Sequence, residues 1–174
     1  MSFEIESRPY ADPDVQRLVA EVQAHYVEIY GGPDEAVVVD DEFVAPNGTL
    51  LVGRLDGDVV AMGGWRRLPA PSGPDGEAGA EATAEATAEA TAEVKRMYVV
   101  PRAQRRGLAR RLLAAVEASA AEAGITRLVL NTGPHQHAAI ALYLAEGYTP
   151  CEPFGYYARH GEALFYAKTL DVRV

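Results

Sequence analysis

Strict alternation through FEIESR, residues 3–8, predicts an edge strand. Apolar residues then shift to helical spacing. Val15, Leu18, Val19, Val22 and Tyr26 share one face, with Asp12 or Asp14 placed to cap the helix. YGGPDEA ends it with glycines and a proline. LLVGRL and DVVAMGGWRR, residues 50–55 and 58–67, read as paired strands, and the Asp-Gly between them predicts a tight hairpin. VKRMYVV reads as a buried strand stopped by Pro101. From Gly107 to Glu122, Leu108, Leu112, Val116 and Ala120 form an apolar stripe, which predicts an amphipathic helix closed by Gly124. TRLVLN is the next strand, and a helix from about His135 to Glu146 follows, ended by Gly147. YTPCEPFGYY and ALFYAKTL are expected as two closing strands.

An antiparallel first half followed by strand–helix–strand–helix–strand–strand predicts an α/β fold, a mixed sheet covered by helices. The 174 residues suffice for one domain, 1–174, with its own core. One segment breaks the pattern. PAPSGPDGEAG is a Pro/Gly linker, and three copies of AEAT follow it from Ala80 to Thr91. The repeat has helix-forming alanines but no apolar stripe, so residues 72–92 are expected to be a low-complexity surface loop.

Charge changes the picture. The net charge is −9, and residues 1–58 hold thirteen acids against three arginines. Yet KRMYVVPRAQRRGLARRL, residues 95–112, gathers seven of the sixteen basic residues and no acid. A nucleic-acid binder would show a broad basic surface, so that class is excluded. The acidic half is either a solvated surface or a tilt toward a cationic partner. A single cysteine, Cys151, excludes an internal disulfide framework and fits a reducing cytoplasm. No base stands beside it, so it is not expected to be a nucleophile. The start of the chain lacks the basic and apolar regions of a signal peptide, and no apolar run approaches the ~18 residues of a membrane span. The expectation is a soluble, cytoplasmic protein without a membrane partner. His135 and His137 resemble half a metal site, but no further ligands stand at useful spacing, so no metal is expected.

The basic stretch contains a strand, the loop PRAQRRG and a helix start near Gly107. Unpaired N–H groups and the positive end of the dipole make a helix start an anion site. Glycine at 107 and alanine at 109 let a ligand approach the backbone, with Arg102, Arg105, Arg106, Arg110 and Arg111 around it. The choice lies between a solvated, Arg-rich helix start and a pyrophosphate site. The spacing is neither a P-loop nor a G-x-G-x-x-G turn.

QRRGLA, Gln104 to Ala109, resembles the [RQ]-x-x-G-x-[GA] loop of the GNAT superfamily of acyl-CoA-dependent N-acetyltransferases. The strand before it, the helix and LVLN strand after it, and QHAAIALYLAEGY extend the resemblance over about residues 92–150. It implies a GNAT fold: a mostly antiparallel, twisted sheet whose splayed central strands form an acetyl-CoA cleft. It also implies that the backbone of Met97, Tyr98, Val99 and Val100 pairs with the pantetheine arm. The N–H groups of Gln104, Arg105, Arg106, Gly107, Leu108, Ala109 and Arg110 would hold the pyrophosphate, with Arg102, Arg105 and Arg110 toward the 3′-phosphoadenosine. Arg96 and Arg111 are expected to be solvated or structural. Gln136 stands where many members have Asn, and Asn131 is a polar candidate near the thioester or a strand-end residue.

Acetylation of an amine needs a neutral nitrogen, a proton for the departing thiolate and a donor for the developing oxyanion. A strand N–H such as that of Val99 would serve as the donor. Tyr143, at the family's tyrosine position, is the candidate acid; read without the family it is a core aromatic. Glu93 is the candidate base, or else the last solvated acid of the AEAT register, with a water chain, Tyr98 or His137 as alternatives. Tyr26, Glu28, Tyr30, Trp65 and residues 154–157 are candidates to line an amine pocket. The resemblance implies direct transfer from acetyl-CoA to an amine in a ternary complex, the alternative being a catalytically silent acyl-CoA-binding domain. A homodimer is common in the family, but no residue here specifies an interface.

Overall fold

The computed structural model describes residues 1–69 and 90–171. Most of the AEAT repeat therefore lies outside the described residues. Its expected end at residue 92 moves back, because Thr91 already begins a strand. Ala92 is fully buried between Arg67 and Leu128 of the neighbouring strands, a position that admits a small apolar side chain.

Strand β1 (Phe3–Ser7) leads into helix α1 (Pro13–Tyr30). Asp12 caps that helix by accepting from the Asp14 amide, Pro13 opens it, and Gly31 closes it at φ 78°. Strands β2 (Gly48–Leu55) and β3 (Asp58–Arg67) form the expected hairpin. Positive φ at Asp56 and Gly57 is what a two-residue turn of matching twist requires. Strand β4 (Thr91–Val99) precedes helix α2 (Leu108–Glu122), whose face of Leu108, Leu112, Leu113, Val116 and Ala120 is buried. Strand β5 (Arg127–Thr132) and helix α3 (His137–Ala145) follow, and the helix is shorter at both ends than its pattern suggested.

The closing segment differs more. Only Thr149–Pro150 forms a strand, β6, and the rest of YTPCEPFGYY is a loop with a short turn at Tyr156–Ala158. Pro150 and Pro153 have no N–H to donate to a ladder, and Gly155 at φ 66° turns the chain away. Strand β7 (Leu164–Thr169) completes one sheet in the order β1-β2-β3-β4-β5-β7-β6. Among the described residues the only parallel neighbours are β4 and β5.

Helices α1 and α2 cover opposite faces of this sheet. Tyr98 pairs with Met62 across β3–β4, and its hydroxyl reaches Glu21 of α1. Trp65, three residues beyond Met62, points the other way, and its indole donates to Ser119 of α2 at 2.7 Å. Trp65 is therefore a core residue, only 2% exposed, and not the pocket wall its aromatic character suggested.

Two departures from a regular sheet create the site. First, β4 carries a bulge where Arg96 and Met97 face Gly63, with Arg96 at φ 60°. Second, β4 and β5 pair only at Thr91–Arg127, Ala92–Leu128 and Glu93–Val129. Beyond Glu93 the two strands part.

Candidate active site

The opening between the parted strands is a cavity of about 440 Å³. One wall is β4, with Val94, Lys95, Arg96 and Met97; the facing wall is Asn131 and Thr132 of β5 with Gly133–Gln136 beyond it. Tyr26 and Tyr30 of α1, Asp34, Tyr143 of α3 and Tyr157 close the remaining sides.

At the apex, Glu93 is 4% exposed and both of its oxygens are engaged. Oε2 accepts from Arg66 Nε at 3.0 Å and lies 2.9 Å from its Nη2; Oε1 accepts from Asn131 Nδ2 at 3.2 Å, with Lys95 Nζ at 3.7 Å. Glu93 is thus no solvated end of the AEAT register. Its bond to Asn131 spans β4 and β5 one step past their last backbone pair. Losing one partner of such a buried pair costs about 3–5 kcal/mol, because the remaining charge stays desolvated.

The amide parity of β4 decides which groups are available. Val100 N–H donates to Val60 at 2.9 Å, and its carbonyl accepts from Ala103. Val100 therefore has no amide to offer a ligand, which corrects that part of the expectation. By antiparallel alternation Tyr98 also directs its N–H toward β3, whereas Val99, paired with Ala61, directs its own outward, where β5 has diverged. The carbonyl of Val99 points the same way and accepts from Gln104 Nε2 at 2.9 Å, which ties the following loop to the strand.

That loop and the start of α2 are exposed and stand outside the cavity. Arg105 at φ 61° and Gly107 at φ 74° turn the backbone so that the first-turn amides of α2 face solvent. No side chain caps this helix, and no acid stands in its first turn. Among the described residues Arg105 and Arg106 have no carboxylate partner, while Arg110 pairs with Glu146 and Arg102 lies 3.8 Å from Asp58. Arg111 is structural, donating to the Phe3 carbonyl at 3.0 Å and stacking over its ring. An outward strand amide followed by an uncapped, arginine-flanked helix start fits the extended arm and pyrophosphate of an acyl-CoA.

Tyr143 is buried, packs edge-on against Tyr148 at 5.6 Å, and makes no hydrogen bond among the described residues. Burial, with the nearby Tyr26 phenol, pushes its pKa well above that of a free phenol. Tyr26 is likewise pushed up to about 12 by burial, and Tyr157 to about 12 by burial and its bond to Asp34. All three keep their protons at neutral pH.

The sequence model of the acetyltransferase (GNAT) family matches residues 15–148, which include the parted strands, the α2 start and Tyr143. The chain belongs to the GNAT acetyltransferase family. It is 32% identical to an IAA acetyltransferase of Azospirillum brasilense, over 93% of this chain and 94% of that one. The structure of a Klebsiella pneumoniae protein assigned to the acyl-CoA N-acyltransferases superposes with TM-score 0.72 at 28% identity, covering 97% of each chain. A GNAT acetyltransferase of Elizabethkingia anophelis with acetyl-CoA bound has the same fold, with TM-score 0.62 at 14% identity over 97% of this chain and 98% of that one. No helix among the described residues is long and apolar enough to cross a membrane.

Within this GNAT chain the cavity brings together Met97, Asn131, Gln136 and Tyr143 of the residues singled out from sequence. Tyr26, Tyr30 and Tyr157 also reach it, whereas Glu28 is exposed elsewhere and does not. Asp34 carried no signal beyond a turn, yet it is the hub of the acceptor side. Its Oδ1 accepts from Tyr157 Oη at 2.7 Å and from the Ala36 amide at 3.0 Å, while Oδ2 lies 3.4 Å from Arg96 and 3.7 Å from Lys95. Burial pushes its carboxyl pKa up, but Lys95, Tyr157, the Ala36 amide and Arg96 outweigh that and hold it below the ordinary value.

A carboxyl whose folded pKa is depressed contributes stability that is complete above its unfolded value of about 3.9 and is lost as pH falls through the folded value. Asp34→Asn should therefore be less stable than the parent at pH 7, with the gap narrowing below about pH 4. Urea midpoints measured from pH 7 to pH 2.5 test this; a gap that stays constant with pH would contradict it.

Proposed function

We propose that this GNAT protein transfers an acetyl group from acetyl-CoA to a primary amine by direct attack in a ternary complex. The observation that carries the reading is Tyr143, which lines the cavity between β4 and β5 and whose hydroxyl has no hydrogen-bond partner among the described residues. A catalytically silent acyl-CoA binder needs no proton donor facing this cavity, whereas transfer does. The kinship with an acetyltransferase over nearly the whole chain supports the same reading.

Acetyl-CoA, when bound, supplies an activated thioester. The chain supplies the surroundings. Val99 N–H is the outward strand amide, suited to the arm or to the oxygen on which charge develops. The amides of Leu108, Ala109 and Arg110 at the α2 start, with the Arg105 and Arg106 side chains, hold the phosphates. Tyr143 Oη keeps its proton in the ground state, donates a hydrogen bond that strengthens as charge grows on the leaving sulfur, and gives up the proton as the thiol departs; the proton shed by the attacking nitrogen as the amide forms restores the phenol. Gln136 and Asn131 position the acyl end from the β5 side. No activated nucleophile faces the cavity, so the acceptor nitrogen attacks directly.

The geometry argues against Glu93 as the base. Both of its oxygens already accept hydrogen bonds, from Arg66 and Asn131, and it does not line the cavity. We assign it a positioning role: it holds Asn131 against β4 at the apex. The acceptor then loses its proton to solvent before attack, so the rate rises with pH toward the pKa of the amine itself.

Acetyl-CoA consumption across amine classes, by thiol release, tests the activity. With the best amine, Tyr143→Phe should lower kcat about 10²-fold or more with acetyl-CoA affinity changed little. Glu93→Gln should lower kcat without moving the pH–rate profile. An unchanged kcat in Tyr143→Phe, with chemistry limiting turnover, removes the acid role, and a shifted profile in Glu93→Gln restores that residue as the base.

A further inference from the structure

The acidic first half suggests a cationic acceptor, but the acceptor end of the cavity is built around two cations. In a regular strand Lys95 and Arg96 would point to opposite faces of the sheet. The bulge, with Arg96 at φ 60°, instead turns both toward Asp34 and into the cavity wall. Both side chains are more than nine-tenths buried, at 7% and 6% exposure.

Neither cation is fully satisfied. Among the described residues the Nε of Arg96 is buried with no hydrogen-bond partner, and the one carboxylate that its side chain meets, Asp34, is distant at 3.4 Å. Lys95 Nζ has its two carboxylates at 3.7 Å each, beyond a good hydrogen bond. Asp34 cannot move to serve them better, because Tyr157 and the Ala36 amide hold its other oxygen at 2.7 and 3.0 Å. A buried guanidinium N–H without an acceptor is costly, and Arg presents a fork of donors that matches a carboxylate. Around this pair stand the rings of Tyr26, Tyr30, Tyr157 and His135, with Tyr30 tilted against Tyr26 at 6.4 Å and against His135 at 5.7 Å.

Resting on the N-acetyltransferase reading, we infer that the acceptor is an amine that also carries a carboxylate, an α-amino acid with an aromatic or apolar side chain, whose carboxylate is taken by Arg96 Nε and Lys95. The carboxylate completes the donors that Asp34 leaves unfilled, and the side chain lies against the tyrosines. The amine then sits a bond or two from the anchored group, free to face Tyr143. Asp34 holds Arg96 and Lys95 in place and thereby acts as a positioning residue. The acidic N-terminal half contributes Asp34 and Glu35 to this wall but does not dictate a cationic substrate.

Matched pairs that differ only in the carboxylate test this: phenylalanine against phenethylamine, and tyrosine against tyramine. Two readouts are used on the full chain, calorimetric binding in the presence of CoA and thiol release with acetyl-CoA. The acids should bind and turn over at least about tenfold better than the amines, because a site built for a group rejects the analogue lacking it. In Arg96→Gln, and separately in Lys95→Met, that ratio should fall toward one, chiefly through KM. Amines that match or exceed the acids in binding overturn the inference, as does a ratio unchanged in both variants. If the acids bind selectively yet no amine is acetylated, the carboxylate site stands and the N-acetyltransferase reading falls.

Discussion

Everything functional in this fold follows from the place where β4 and β5 stop pairing. Three parallel backbone pairs, ending at Glu93–Val129, hold the halves of the sheet together, and past them the strands diverge into a cavity. The divergence has a cost, since strand amides lose their partners. Side chains limit it. Glu93 reaches Asn131 across the gap, and Gln104 covers the outward carbonyl of Val99. What remains open is the Val99 N–H and the cavity beside it, in position to receive an extended ligand as if it were a further strand.

The bulge at Arg96 and Met97 works with that divergence. It breaks the two-residue alternation of β4, so Lys95 and Arg96 share one face while Met97 packs against Gly63 and Leu112 on the other. The acceptor side of the cavity is then held by a charge network instead of a hydrophobic seal: Arg66 with Glu42 and Glu93, and Asp34 with Lys95, Arg96 and Tyr157. Such networks fix geometry more than they add stability. For the proposed transfer to an amine, geometry is what the chemistry needs.

Much of this was legible in the sequence. The stripe of Leu108, Leu112, Val116 and Ala120 and the glycines at 107 and 124 located α2 and its uncapped start, because periodicity and caps are local. Gly147 was legible for the same reason, whereas Tyr143 was singled out by the family resemblance, since read alone it is a core aromatic. The bulge was not, since nothing local marks an arginine for positive φ. Nor was the spent amide of Val100, because parity depends on the register with β3. Trp65 belonged to the core although its aromatic character suggested the pocket, and Asp34 lines the cavity although only a turn marked it; each placement depends on which distant element packs against it. Glu93 matched the AEAT register in sequence, and only its pairing with Arg66 and Asn131 separates it from the repeat.

On the proposed function, the outward edge of β4 and the start of α2 together receive an acyl-CoA. Amide hydrogen exchange with and without acetyl-CoA, read by mass spectrometry at peptide resolution, tests it most directly. Exchange should slow in peptides covering Met97–Val99 and Gln104–Arg110, with β1 unchanged. Saturating acetyl-CoA that leaves both segments exchanging at their free rates would contradict it.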